Sequence, residues 1–598
     1  MMNATSRRWL RCGQVAATTG MVMVMSASCG PGTGMTGESG MTGESTGSMG
    51  DTSTGDASDP TDPTDPTSPT DSTTPTTGDT DPTGDLPGAT VTLVVNRDVD
   101  LLFVIDNSGS MAGEQALLAQ SIAALIDPLE AARANYRVGV TTTDSGNPRC
   151  TNSEPEGGSL VLSSCVDRVD QGEFKFVDED FSAACTDLCD ARDADLVVRG
   201  TTTQYDNDEK PRRWVERSEG QSNIDGVGST VEALQCYLPQ GVAGCGFESQ
   251  LESMYLALAA ATSAESAANY GFLRETAQLA VVIVSDETDC SYDLASKDIF
   301  TTNKVYWNDP SDPTPTSAVC WRAGVTCTGA GPTYSECHAE DHGIDGSPTG
   351  DPAKAVLRPV SEYIDFVKSI ESAKQQIDPG QRVKVSLITG VPVGYEDFNA
   401  EIGYEDSSDA NFQANFGIGP GCIIGDPNQP DVAVPPVRER EFAEAFALDD
   451  LHRNLYSICQ ANYSATLAAI GEELADGISP SCMPNCVADK DPGTPVLDPS
   501  CQLYEDNIAL GTTTPIPACA EVNGAWVAPA GATVCFAQRV DRDGTQTPST
   551  IDDMSPLCVD QGFNLEFDVV RVTPAPAGVT ISATCELSAN KAQDCPNL

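Results

Sequence analysis

The chain has 598 residues, with 88 Asp or Glu against 33 Lys or Arg, so its net charge at pH 7 is −55. This acidity excludes nucleic acid as a partner and a basic patch as a membrane contact, because phosphates and anionic headgroups would be repelled. The 22 cysteines are typical of an oxidising compartment, and the presence of only three histidines disfavours a His-rich zinc enzyme.

Residues 1–28 are predicted to be a secretory signal peptide. Arginines within residues 6–11 precede an apolar stretch over 13–25, and small residues follow before Cys29. The segment resembles a bacterial lipoprotein signal, which implies cleavage before Cys29 and acylation of that cysteine. Ordinary cleavage is the alternative, and the arginines also resemble a twin-arginine signal. Gly30 favours the outer membrane or the cell surface, by analogy with known lipoproteins.

Cysteine parity agrees with a lipid anchor. Cys12 leaves with the signal peptide and Cys29 would carry the lipid, so 20 of the 22 cysteines remain and can all pair. A free Cys29 would make the number odd. The anchor is then the only predicted contact with the membrane.

Residues 29–88 are predicted to be the lipidated cysteine followed by a disordered tether. Gly, Thr, Ser, Pro and Asp dominate this segment, and Asp-Pro-Thr repeats occur from Asp59. Such a segment cannot bury enough apolar surface to offset the loss of chain entropy. The pattern G-x-S-x-G of hydrolases occurs at 43–47, but no predicted strand precedes it, so we interpret it as coincidence.

Residues 89–478 are predicted to form one α/β domain with a doubly wound, mostly parallel, Rossmann-like sheet covered by helices on both faces. Two Cys-bearing insertions interrupt it, at about 145–224 and 291–350. The apolar runs typical of strands lie at 99–105, 136–140, 279–284 and 383–388, with an edge strand at 89–95. Helical spacing occurs at 117–129, 227–238, 248–261, 361–374 and 441–477.

Residues 479–598 differ from the rest of the chain. Helical periodicity stops, cysteines become dense, and residues 563–570 and 579–583 alternate like strands. We predict a small β-rich module held together by disulfides, with no recognisable chemistry. Asp541–Gly544 is similar to part of a calcium loop but lacks the downstream Glu of an EF-hand, so we interpret it as a turn.

Two of the predicted buried strands end in acidic residues. Asp106 follows the first, with Ser108 and Ser110 two and four residues later, and Asp286 follows the strand at 279–284. Parallel sheets bind ligands at the carboxyl ends of their strands. Two carboxylates with two hydroxyls suit a hard cation, Mg²⁺ or alternatively Ca²⁺ or Mn²⁺. The other interpretation is a loop cap, since Asp and Ser are common in turns.

The segments Leu101–Met111 and Val281–Asp286 resemble the von Willebrand factor A family. The first is similar to the family's metal-ion-dependent adhesion motif, and the resemblance covers about residues 89–478. It implies a doubly wound sheet and a surface metal whose open coordination position binds an acidic group on a protein partner. The metal ligands that it implies are Asp106, Ser108, Ser110 and Asp286.

One family ligand has no direct counterpart here. The family places a Thr in a loop in the middle of the domain, and the corresponding stretch, Gly244–Ser249, contains none. Glu248 is the replacement that the resemblance favours, and a carboxylate there also suits the start of a helix. Thr230 is the rival.

Other clusters are less specific. Glu287 and Asp289 either bind Ca²⁺ or are solvated. Cys337 and His338 with His342 have the composition of a metal site, but a disulfide loop is the favoured interpretation in an oxidising compartment.

The function predicted from these features is that of a lipid-anchored, extracytoplasmic adhesion protein of the cell envelope. It would bind a protein partner through the metal, and it would not be an enzyme. One alternative is a structural or envelope-assembly component that needs no metal. A secreted hydrolase is disfavoured, because the sequence contains no H-E-x-x-H motif and its histidines stand in no catalytic motif.

Overall fold

The computed structural model describes residues 90–598 except 219, 378–379, 427–428, 449–450, 479–480, 492, 494–496, 508–510, 523, 541–553, 556–557, 560–561, 573–578 and 596–598. The signal peptide, Cys29, the tether and Asp541–Gly544 therefore lie outside the described residues. None of the described helices is both long enough and apolar enough to cross a bilayer.

The described residues form a mixed α/β structure. The strands are β1 Thr90–Val95, β2 Asp98–Ile105, β3 Asn135–Thr142, β4 Lys175–Phe176, β5 Glu179–Asp180, β6 Val197–Val198, β7 Gly200–Thr203, β8 Asp206–Pro211, β9 Val215–Ser218, β10 Gln221–Ser222, β11 Ile224–Asp225, β12 Gln278–Val284, β13 Val325–Thr328, β14 Thr333–Tyr334, β15 Glu336–Ala339, β16 Lys384–Thr389, β17 Tyr404–Glu405, β18 Cys422–Asp426, β19 Gln429–Ala433, β20 Leu455–Ser457, β21 Cys501–Asn507, β22 Thr512–Ile516, β23 Ala520–Val522, β24 Ala525–Val527, β25 Val534–Arg539, β26 Glu566–Arg571 and β27 Val579–Glu586. The α-helices are α1 Ala112–Ser121, α2 Ala123–Ala131, α3 Cys165–Gln171, α4 Ala183–Thr186, α5 Thr230–Tyr237, α6 Gln250–Ala261, α7 Ala318–Gly324, α8 Val360–Gln375, α9 Ala410–Phe416, α10 Val437–Glu444, α11 Ser464–Asp476 and α12 Lys591–Asp594. Short 3-10 helices lie at Leu294–Phe300 and Pro352–Lys354.

The largest sheet has seven strands in the order β10-β9-β3-β2-β12-β16-β20. The five strands from β3 to β20 are parallel, while β9 and β10 are antiparallel additions at one edge. In the register of the central pair, Ile105 lies opposite Val284. Both strands therefore end at the same level, and the residues that follow them emerge side by side.

Alternate residues of β2 face two separate cores. Leu101, Phe103 and Ile105 pack with α1, α2, α5 and α11 on one side of the sheet. Leu102 and Val104 pack with α6, α8 and α10 on the other side. Burial on both faces explains why this strand is apolar along its length instead of alternating.

Most predicted elements are present, but the segment 441–477 is not helical throughout. The short strand β20, Leu455–Ser457, lies between α10 and α11 and pairs in parallel with β16. Three residues are too few to show a period of their own, so this strand was missed.

The C-terminal segment is β-rich, as predicted, and has its own core around Leu503, Phe536 and Phe567. Its four-stranded sheet has the order β1-β27-β21-β22. The strand predicted at 89–95 is thus an edge strand, but of this sheet and not of the large one. Only two residues separate β1 from β2, which belongs to the large sheet, so the chain passes directly from one sheet into the other.

All 20 cysteines from Cys150 onward form disulfides, which confirms the predicted complete pairing. The ten pairs are Cys150–Cys245, Cys165–Cys185, Cys189–Cys236, Cys290–Cys320, Cys327–Cys337, Cys422–Cys459, Cys482–Cys558, Cys486–Cys595, Cys501–Cys585 and Cys519–Cys535. Such pairing is typical of proteins that fold outside the reducing cytosol.

Candidate functional site

Asp106 is the first residue after β2 and is fully buried. Its backbone N–H donates to the Val284 carbonyl at 2.9 Å, which joins it to the end of β12. Its carboxylate accepts from the Ser108 backbone N–H at 2.8 Å and from the Ser285 hydroxyl at 2.7 Å. Burial raises the pKa of Asp106, although the bonds from Ser285 and Ser108 oppose this. The carboxylate is thus oriented by polar groups, and it forms no ion pair with the described residues.

The two serines of the first motif lie together. Their hydroxyl oxygens are 3.2 Å apart, with Ser108 buried and Ser110 exposed. Burial raises the pKa of Asp286 well above its ordinary value, and an interaction with Ser110 offsets a small part of this rise. The motif therefore places Asp106, Ser108 and Ser110 in one turn, with Asp286 within reach of its outer hydroxyl.

Gln115 on α1 joins this turn to a second loop. Its side-chain N–H groups donate to the carbonyls of Asp106 at 2.7 Å and Gly241 at 2.8 Å, and its oxygen accepts from Gly241. Farther along, the Gly244 N–H donates to the Asn107 carbonyl at 2.8 Å. A β-carbon on Gly244 would lie 2.1 Å from Asn107 Oδ1, so only glycine permits this approach.

Glu248 ends that second loop, two residues before α6, and is fully buried. Among the described residues, neither of its carboxylate oxygens has a hydrogen-bond donor within bonding geometry, although the Glu287 side chain lies against it. Burial raises its pKa well above the ordinary value, and the charges of Glu287 and Asp106 raise it further. A buried carboxylate without partners is costly, so this side chain requires either a proton or a cation.

Thr230, the rival to Glu248, lies elsewhere. It is the first residue of α5, and its side chain hydrogen-bonds Tyr136, the second residue of β3. Tyr136 belongs to the amino end of its strand, opposite the end at which Asp106 lies. Thr230 therefore does not join the cluster.

Asp286 and Glu287 follow β12. Asp286 is buried, and its Oδ1 has no partner. Burial raises its pKa well above the ordinary value, and the charges of Asp106, Glu287 and Glu114 add to this. Burial and then Asp106 raise the pKa of Glu287 to about 7. Glu287, predicted to be a calcium ligand or a solvated residue, lies against Asp106 and Glu248.

Asp289 has a structural role instead. It is fully buried and pairs with Arg438 Nε at 3.0 Å. Its other oxygen accepts from the Leu251 N–H and the Ser291 hydroxyl. The prediction that this residue is either solvated or a calcium ligand is wrong, because its carboxylate is buried and occupied by these donors.

Each of the two insertions is attached to a loop of the site by one disulfide, namely Cys150–Cys245 and Cys290–Cys320. Cys245 precedes Glu248 by three residues, and Cys290 follows Asp286 by four. The Cys290 N–H also donates to the Glu248 carbonyl at 2.6 Å. The insertions therefore restrain both loops that carry buried acids.

The oxygen-bearing side chains of the site are of the kind that binds a hard cation. Asp106, Glu248, Asp286 and Glu287 supply carboxylates, Ser108 and Ser110 supply hydroxyls, and several of the carboxylate oxygens have no partner. Among the residues that the structure describes, no three His, Cys, Asp or Glu side chains form a metal-binding group by themselves. A bound cation would therefore rely on the hydroxyls and on water as well as on the acids.

In the part of the chain that the structure describes, the Cys337, His338 and His342 cluster forms no metal-binding group. Cys337 forms a disulfide with Cys327, as favoured above. His342 is buried, with Nδ1 at 3.2 Å from the Ala323 carbonyl and 3.0 Å from the Glu340 carbonyl. This ring nitrogen is engaged with the backbone.

Comparisons with known proteins find only distant likenesses. No protein-family model and no curated protein matches the chain. Similar solved structures are bacterial pilus adhesins: SpaC from Lactobacillus rhamnosus GG in its open conformation (8% identity, 83% of this chain, 40% of that chain, TM-score 0.26), RrgA from Streptococcus pneumoniae (9%, 84%, 58%, 0.23) and the N-terminal domains of the type V pili tip protein Mfa5 from Porphyromonas gingivalis (9%, 83%, 63%, 0.22). The chain spans less than two thirds of each of these proteins. At these values the likeness carries no argument about fold or function.

Proposed function

We propose that this protein is an extracytoplasmic adhesion protein whose central domain is of the von Willebrand factor A type. It binds an acidic group on a protein partner through a divalent cation, Mg²⁺ or alternatively Ca²⁺ or Mn²⁺, and it is not an enzyme. The observation that carries this proposal is Glu248, a fully buried carboxylate with two unpartnered oxygens and with Asp106 and Glu287 as acidic neighbours.

The order of the strands supports this location. The chain adds β3 on one side of β2, and later adds β12, β16 and β20 on the other side. Connections therefore leave in opposite directions between β2 and β12, which is where open α/β sheets bind ligands. Asp106 and Asp286 follow these two strands.

Asp106, Ser108, Ser110, Asp286 and Glu248 would hold the cation, and Ser285 orients Asp106 for that purpose. A bound cation supplies positive charge to the buried acids and an open position for the partner's carboxylate. Loss of the cation leaves the sheet and both of its cores intact, because they lie behind the site.

The test is calorimetric titration of the full chain with Mg²⁺, followed by capture of surface proteins in Mg²⁺ or in EDTA. Asp106→Ala should abolish both Mg²⁺ binding and Mg²⁺-dependent capture, and Asp286→Ala should weaken them. The matched control is Asp208→Ala, because the Asp208 side chain is 81% exposed. This variant should change neither Mg²⁺ binding nor Mg²⁺-dependent capture. Capture that survives both EDTA and Asp106→Ala would favour the metal-independent envelope component.

The anchor is a separate proposal. Lipidation of Cys29 would attach the protein to the envelope, and the tether would hold the described residues away from the membrane at up to about 3.1 Å per residue. Cys29→Ser should move the protein from the detergent-soluble membrane fraction to the aqueous phase. Unchanged partitioning contradicts lipidation without affecting the metal site.

A further inference from the structure

An exposed apolar hairpin lies beside the first motif. Strands β4 and β5 place Phe176 so close to Gly109, within the Asp106–Ser110 turn, that a β-carbon on Gly109 would lie 2.8 Å from three ring carbons. Phe176 is nevertheless 38% exposed, and Val177 next to it is 79% exposed. Two large apolar side chains thus reach solvent at the edge of the proposed cation site.

The base of this hairpin is firmly held. Phe174 is buried in the core, and its carbonyl accepts from the Phe181 N–H at 2.8 Å. The Glu173 carbonyl accepts from the Val242 N–H at 2.7 Å, within the loop that Gln115 joins to Asp106. The disulfide Cys165–Cys185 brackets the whole segment. A fixed aromatic side chain loses little entropy when a partner covers it, as in the central contacts of protein interfaces.

The turn of the hairpin is occupied by an unfavourable residue. Phe176 pairs with Glu179, so Val177 and Asp178 form a two-residue turn, and Val177 has φ +57°. Glycine or asparagine normally occupies such a position, and a β-branched residue there is strained. The valine side chain gains little burial within this chain to offset that strain. A residue that is costly to the fold and exposed beside the site points to a contact made outside the chain.

We propose that Phe176 and Val177 form an apolar platform, which receives a large aliphatic or aromatic side chain adjacent to the acid that the cation binds. This inference rests on the proposed function, because the cation sets the position of the partner's acid. The occupant is an extended segment of a partner protein with one Asp or Glu next to a large apolar residue. Further acids in the segment would be repelled, because the hairpin carries Asp178, Glu179 and Asp180 and the chain has a net charge of −55.

The experiment uses the labelled full chain and immobilised Gly/Ser-based peptides in Mg²⁺. Each peptide carries one central Asp followed by Leu, Phe or Ser. Leu and Phe peptides should bind about tenfold more tightly than the Ser peptide, because they bury apolar surface on the platform. Phe176→Ala should remove that preference, Val177→Gly should reduce it about threefold, and Phe176→Leu should largely retain it. Val522→Ala, which alters a 48% exposed valine of the C-terminal module, is the matched control.

The outcomes separate the two proposals. Binding that depends on Mg²⁺ but is equal for Leu, Phe and Ser peptides, or tighter in Phe176→Ala, overturns the platform and leaves the cation site standing. Selective binding that survives EDTA and Asp106→Ala overturns the cation site. If no peptide binds although calorimetry detects Mg²⁺, the peptide segment is the wrong occupant and the inference fails.

Discussion

The amino edge of the large sheet buries acids together with arginines of the same chain. Asp100, fully buried in β2, accepts from Arg274 at 2.6 and 2.8 Å, and Arg274 also pairs with Asp98 at 3.0 Å. Close by, Glu216 pairs with Arg137 at 3.1 Å. Burial alone would raise the pKa of Glu216, but the charges of Arg137 and Arg274 and the hydrogen bond from Trp214 together outweigh burial, and the pKa is lowered.

The carboxyl edge buries acids without such partners. Among the described residues, Asp106, Glu248, Asp286 and Glu287 form no ion pair, and burial raises the pKa of each. The charges of neighbouring acids raise the pKa values of Glu248, Asp286 and Glu287 further. The acids at the amino edge of the sheet are therefore paired with arginines of the same chain, whereas the described acids at the carboxyl edge have no such partner. The first set has a structural role, and the second is the set that we propose to bind a cation.

The largest expected effect is at the amino edge. Arg274→Ala would remove the ion-pair partner of buried Asp100 and half-buried Asp98, which typically costs about 3–5 kcal/mol of unfolding free energy. Urea unfolding followed by circular dichroism measures this loss. Arg192→Ala, in an exposed ion pair, should leave the unfolding midpoint nearly unchanged. Equal midpoints for the two variants would contradict the structural role of Arg274.

The disulfide Cys150–Cys245 should support both stability and the candidate site. Replacing both cysteines by serine should cost about 2–4 kcal/mol, and it should also weaken Mg²⁺ binding because the loop that carries Glu248 loses a restraint. Replacing Cys519 and Cys535 in the C-terminal module is the control. That variant should lose stability but bind Mg²⁺ normally, so weakened binding in both variants would contradict a local effect.

Mg²⁺ should raise the melting temperature, and it should do so by binding only at the carboxyl edge of the large sheet. A ligand that binds only the folded state adds about 2.7 kcal/mol at a concentration of 100 times Kd. Scanning calorimetry in Mg²⁺ and in EDTA should show this shift for the unaltered chain and for Arg274→Ala, but not for Asp106→Ala. A shift that persists in Asp106→Ala would place the cation elsewhere.

Per pH unit, the smallest expected effect is a difference in pH dependence, with a slope of at most about 1.4 kcal/mol for one group. Because the folded-state pKa of Glu216 is lowered, its stabilisation is present above about pH 4.5 and is lost as the pH falls. Glu439, buried at the start of α10, has a pKa raised to about 8 by burial and then by Asp289. Its stabilisation is complete below about pH 4.5 and is lost as the pH rises towards 8.

Unfolding free energies measured across this pH range test the two opposite directions of pH dependence. Glu216→Gln should flatten the acid side of the profile, and Glu439→Gln should flatten the fall between about pH 4.5 and 8. Both substitutions keep the shape of the side chain, so a change on the wrong side of the profile would contradict the assigned direction.

The first motif was predictable because it is local. A buried apolar run ends at Asp106, and the serines follow within the same turn, so their proximity depends only on neighbouring residues. Asp286 was predictable by the same reasoning and from the shared edge of parallel strands. Glu248 was predicted through the family resemblance, because nothing in the sequence before α6 indicates that its carboxylate is buried.

Other features depended on contacts distant in sequence. Half-buried Glu287 lies against Asp106 and Glu248, which are distant in sequence, whereas a run of acids alone is equally typical of a solvated loop. The pairing of β1 with β27 joins residues separated by most of the chain, and strand alternation does not specify a partner.

By itself, the sequence determined the parallel strands, most helices, the complete pairing of the cysteines and the grouping of Asp106, Ser108 and Ser110 in one turn, because periodicity, parity and short spacing are local properties. Only the tertiary structure decided which acids share a site, which have arginine partners, and where Phe176 lies. Those outcomes depend on burial and on charges that loops and insertions bring together at the edge of the sheet. No local sequence pattern predicts the course of these loops and insertions.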